Sequence, residues 1–185
     1  LLLYIILPET KHFSPLLIIL FIIGMVFALM NAIPMKISGM TNDGYNIIYL
    51  IKDKEARRAF WLQLYINGLM AKGTRLRDMP RDWFELPENA DLKNPLICSM
   101  GVFKCNYLCD KKQFDDAREM TQFLLENAPG MLEVHKNELR CDLMFYEIIG
   151  PCRKEEIEKI YTNQLKKYIK LTSSYLTRRR LMYSY

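Results

Sequence analysis

The sequence predicts an all-α protein in two parts: a membrane-spanning helix, then a polar domain of antiparallel helical hairpins. Three observations carry this. First, charge is segregated. The whole chain of 185 residues is 25% charged, yet the stretch before Lys36 holds a single acid, Glu9, and a single lysine, Lys11. Second, residues 15–33, "PLLIILFIIGMVFALMNAI", hold no charge. Third, from Pro95 onward apolar residues recur at helical spacing and Pro/Gly pairs punctuate them.

Each element follows in order. About 20 residues rising about 1.5 Å each cross a hydrocarbon core of about 30 Å, so residues 15–33 predict a span. Pro15 suits its first turn. The run is too long for a signal peptide and lacks a basic leader. "LLLYIILP" at the start predicts the end of a preceding span, with "PETKHFS" as a short loop between the two. A chain that opens inside an apolar run and closes just after Arg178, Arg179 and Arg180 reads as a fragment of a longer protein. Lys36, Lys52, Lys54, Arg57 and Arg58 follow the span, whereas Lys11 and His12 precede it. The positive-inside rule therefore predicts an integral membrane protein with its C-terminal part in the cytoplasm.

After the span, "MNAIPMKISGMTNDGYNIIYL" is rich in turn formers. A helix is predicted to start at Asn42 or Asp43. "DKEARRAFWLQLYINGLMAKG" predicts an amphipathic helix capped by Asp53 and ended by Gly73, with Ala56, Phe60, Leu64, Asn67 and Ala71 as its stripe. "TRLRDMPRDWFELPENADLKNP" is an irregular connector. Helices are then expected in "PLICSMGVFKCNYLCDK", in "QFDDAREMTQFLLENAPG", in "MLEVHKNELRCDLMFYEIIGP", and once or twice more up to Arg180. Short turns force such neighbours to pack antiparallel. The domain limits predicted are 1–52 for the membrane part, 53–91 for the amphipathic helix and connector, and 92–185 for the helical domain.

The five cysteines all lie in the charged half and form no even disulfide set, so they read as buried thiols of a reducing compartment. Net charge is +5, with acids and bases interleaved and no basic-aromatic motif, which sets nucleic acid aside. His12, His135, Trp61 and Trp83 read as ordinary structural residues, and Arg178 to Arg180 as a solvated helix face.

Asp43 is the sole acid between Glu9 and Asp53. Ionisable groups near membrane depth are costly and usually partnered. Gly44 allows close backbone approach. From spacing alone, however, Asn-Asp-Gly is also an ordinary turn or helix cap.

Asn31-Ala32-Ile33-Pro34, a loop and Asp43-Gly44 resemble the C-terminal signature of the site-2 protease family of intramembrane zinc metalloproteases. "RLRDMPRDWF" is similar to the cytosolic extension of its Gram-positive members. The resemblance implies that Asp43 is a zinc ligand, and that Asn31, Pro34 and Gly44 position the site or substrate. It also implies a membrane-spanning protein substrate in the lipid bilayer. Two departures stand out. The Pro34-to-Asp43 loop is longer than the family's compact spacing. No His-Glu-x-x-His is present, so this chain carries no catalytic residue of its own and alone would be inactive. Separately, residues 107–129 resemble the middle of a tetratricopeptide unit, with Ala117 at the close helix contact and Ile157 in the matching place of a weaker copy. That likeness implies a protein partner for the helical tail. It also leaves open a competing reading: a non-catalytic, membrane-anchored tetratricopeptide-like adaptor.

Overall fold

The computed structural model describes residues 14–37 and 40–185. The predicted end of an earlier span, the loop after it and His12 lie outside the described residues. The described chain is predominantly helical and divides into two compact units, one ending at Asp53 and the other running Lys54–Tyr185.

In the first unit, α1 (Ser14–Ala32) is the one described helix long and apolar enough to cross a membrane. None of the window Pro15–Ala32 is buried by the chain itself. A two-residue antiparallel ladder, β1 (Lys36–Ile37) with β2 (Met40–Thr41), then turns the chain into α2 (Asp43–Lys52). Helix α2 packs on α1.

The second unit begins with α3 (Lys54–Ala71), followed by 3-10 turns Leu76–Asp78 and Arg81–Phe84. Next come α4 (Pro95–Asp110), α5 (Phe114–Asn127) and α6 (Glu133–Ile149), then α7 (Lys154–Ile160), α8 (Asn163–Leu171) and α9 (Leu176–Ser184). Asn94 caps α4 by accepting from the Leu96 N–H at 3.0 Å, and Pro95 sits in its first turn. Between α4 and α5, Lys112 takes φ 61, and the Gln113 N–H closes the turn on the Leu108 carbonyl at 3.0 Å. That left-handed residue reverses the chain at once, so α4 and α5 form an antiparallel hairpin. Ala117, fully buried, and Gly101, whose missing side chain is filled by Leu124, allow the close approach.

One core joins α3, the connector and α4, where Phe84 stacks on Tyr107 at 4.4 Å. A second joins α5 to α9 around Met144, Leu165 and Leu181. Each wholly buried leucine contributes about 2 kcal/mol of apolar transfer.

Three sequence expectations change. The buried stripe of α3 is Ala56, Ala59, Leu62 and Ile66; of the expected set, Phe60, Leu64, Asn67 and Ala71 face outward. Both faces carry apolar residues at helical period, and the small alanines let one of them approach the core closely. The segment after Cys152 forms three helices rather than one or two. The Thr162 hydroxyl accepts from the Leu165 N–H and starts α8 afresh. Third, the basic run in α9 is not wholly solvated, because Arg178 is 1% exposed. Of the cysteines, Cys98, Cys105 and Cys141 are buried, Cys109 is half-buried and Cys152 is exposed.

Candidate functional site

The residues singled out by the sequence meet where α1 ends and α2 begins. The last carbonyls of a helix have no intrahelical donor, and the first N–H groups have no acceptor. Asn42 answers both ends at once. Its amide nitrogen donates to the carbonyls of Met30 at 2.7 Å and Ile33 at 2.6 Å, and more weakly to Asn31 at 3.4 Å. Its Oδ1 accepts from the Met35 N–H at 2.9 Å and the Tyr45 N–H at 3.1 Å. The Asn42 N–H donates to the Met35 carbonyl at 3.1 Å. One side chain thus ties the end of the span, the intervening loop and the first turn of α2 together.

Gly44 is buried against the same carbonyls. A Cβ there would overlap the Ala32 carbonyl oxygen and lie 2.9 Å from that of Asn31. Glycine is required because two backbones touch. Thr41 donates its hydroxyl to the Asn46 side chain at 2.7 Å, adding a second tie across the turn.

Asp43 stands between these two anchors as the first residue of α2, and it is exposed. Capping by the preceding Asn42 leaves its carboxylate outside the turn's own hydrogen bonds. Asn31 and Pro34 are also exposed, and Asn31 enters the junction through its backbone carbonyl. The structure therefore brings Asn31, Gly44 and Asp43 to one junction. Asn42 was missed as its organiser, although Asn before the first helical residue is a capping signal.

No group of three or more His, Cys, Asp or Glu side chains suited to a metal ion occurs among the described residues. Asp43 is a lone anionic oxygen donor held on a rigid turn, which suits one ligand of a set and no more. His135 lies on α6 in the second unit, half-buried.

In that second unit, Arg178 of α9 donates to Glu138 of α6, whose other oxygen accepts from the Tyr168 hydroxyl. The Arg178 guanidinium lies 5.6 Å from the Tyr168 ring centre. Burial and Glu138 push the Tyr168 phenol up to about 12. This network clamps α6, α8 and α9 together. The chain matches no family model, no curated protein and no solved structure.

Proposed function

We propose that the chain is the C-terminal part of a membrane-embedded zinc metalloprotease of site-2 protease type, with α1 as a span and α3 to α9 on the cytoplasmic side. Its substrate is a membrane-spanning peptide. The observation that supports this most is the Asn42–Gly44 lock. It fixes the backbone on both sides of Asp43 while keeping the carboxylate itself free, at the end of the helix apolar enough to span.

Asp43 gives one anionic oxygen to the metal. Zinc bound there would supply Lewis-acid chemistry, with Asp43 as its one ligand from this chain. The two remaining ligands and the general base come from a His-Glu-x-x-His helix outside this chain, since its two histidines, His12 and His135, lack that pattern. Asn31 offers an exposed amide to an extended substrate backbone. Gly44 and Pro34 hold the turn.

The competing reading, an anchored tetratricopeptide-like adaptor, draws on the stacked helical hairpins of the second unit. Asp43→Ala in the full-length protein separates the two. The protease reading expects loss of cleavage of a reporter span together with loss of bound zinc on metal analysis. Retention of both, or a full-length protein without His-Glu-x-x-His in an apolar helix, removes the protease and leaves the adaptor.

A further inference from the structure

Helix α3 turns a second apolar face outward. Phe60, Trp61, Leu64 and Tyr65 are 37%, 57%, 60% and 44% exposed, in that order, although they are adjacent at helical spacing. Trp61 stacks on Tyr65 at 5.0 Å, and Tyr65 meets the edge of Trp83 at 5.3 Å, so the three rings form one cluster. Exposed bases bracket it. Lys54 lies about two turns before Trp61 on the same side of α3, and Lys72 lies just past the helix end. Between Glu55 and Asp78 the sequence carries Arg57, Arg58, Lys72, Arg75 and Arg77 and no acid. Arg75 is paired with Asp110, and Arg77 lies 3.8 Å from Asp78, so the unbalanced positive charge belongs to α3 and its end.

Charge and connection decide what covers such a face. A second copy on a twofold axis would set Lys54 and Lys72 against bases of its partner, a like-charge contact. A lipid surface with anionic headgroups takes aromatic rings at the headgroup level and bases at its phosphates. The chain keeps such a surface within reach. Asp53 alone separates α3 from α2, which packs on the span-length α1. So short a link holds α3 at high effective concentration beside the bilayer that α1 crosses.

We propose that the outward face of α3 docks on the anionic lipid surface of that same membrane. Trp61 and Leu64 enter the headgroup layer, and Lys54 and Lys72 meet lipid phosphates. Docked so, α3 gives the helical unit a second hold on the bilayer. The proposal rests on α1 being a span and does not depend on Asp43 binding zinc.

The test reconstitutes the full chain with Trp83→Phe, so that Trp61 is its single tryptophan, into vesicles of phosphatidylcholine with or without phosphatidylserine. Lipids brominated near the headgroup end of the acyl chains quench a tryptophan that touches them. Each base near an anionic surface contributes about fivefold in affinity, so Trp61 emission should fall at least about twofold with phosphatidylserine present and less without it. Leu64→Glu, and Lys54→Gln with Lys72→Gln, should each restore the emission. Leu171→Glu, an exposed change on α8, should leave the quenching in place. Unchanged circular dichroism marks an intact fold, and the chain with both tryptophans is read in parallel. Unquenched Trp61 in a chain that resists carbonate extraction overturns the docking and leaves the span. Release of the chain by carbonate removes the span and the docking with it. Equal quenching without phosphatidylserine, or in Leu64→Glu, also overturns the proposal, as does cross-linking of two copies through α3 with Trp61 unquenched.

Discussion

Replacing Asp142 by Asn should stabilise the helical unit at neutral pH. The carboxyl sits at about 6 in the fold because burial penalises its charged form, against about 4 in an unfolded chain. The folded state therefore holds its proton more tightly than the unfolded state does. The favourable contribution is complete below about pH 4, is lost as pH rises through about 6, and is absent above that. Above pH 6 the buried charge costs the fold about 2–3 kcal/mol, which Asn avoids. A gain of that size raises the midpoint by roughly 10 °C for a unit of this length. Both tryptophans, Trp61 and Trp83, lie in Lys54–Tyr185, so fluorescence-detected melting reports on that unit alone. Wild type and variant should differ at about pH 7.5 and converge at about pH 4. Equal midpoints at neutral pH, or a difference that persists unchanged in acid, would refute the assignment of a strained carboxylate to this position.

Gly44→Ala should disrupt the junction, because its Cβ meets the Ala32 backbone rather than a movable side chain, at a cost of up to about 3 kcal/mol. Hydrogen exchange across Asp43–Lys52 should accelerate, while Gly24→Ala, with nothing within 4 Å, should leave it unaltered; equal protection in both variants contradicts the lock. Glu147 is 2% exposed and accepts from Arg153 Nε at 2.8 Å and its second nitrogen at 2.9 Å, which holds its carboxyl below the usual value. Its contribution is present above the unfolded carboxyl value and lost as pH falls, so Glu147→Gln should lower the unfolding free energy obtained from urea titration at neutral pH by about 1–2 kcal/mol and have little effect near pH 3.

The sequence made some elements plain because their signals are local. An uncharged run defines α1, and Pro129-Gly130 and Gly150-Pro151 close α5 and α6 whatever surrounds them. Other features depend on distant neighbours. Arg178 looks identical to Arg179 and Arg180 until Glu138 is found beside it. Helix α3 carries two apolar faces, and its Trp61–Tyr65 stack stays outward while Ala56 and Ala59 turn in. Periodicity cannot rank two such faces; the space available at the partner surface does. Asp142, an ordinary acid in "ELRCDLMF", becomes unusual only through burial in the fold, which raises its carboxyl against the pull of Arg178 and Arg180.

The junction shows why its acidic residue was ambiguous on spacing alone. In an Asn-Asp-Gly turn either of the first two residues can cap the helix. If Asp43 capped α2, its oxygens would be spent on backbone N–H groups and a metal would have to compete with the helix for them. With Asn42 capping instead, the Tyr45 N–H is already satisfied at 3.1 Å, and the neutral amide also supplies donors to Met30 and Ile33, which a carboxylate lacks. Swapping the two residues, Asn42→Asp with Asp43→Asn, would keep composition and charge yet lose those donors. The order Asn before Asp is therefore the arrangement that both joins the two helices and leaves an acid free to bind.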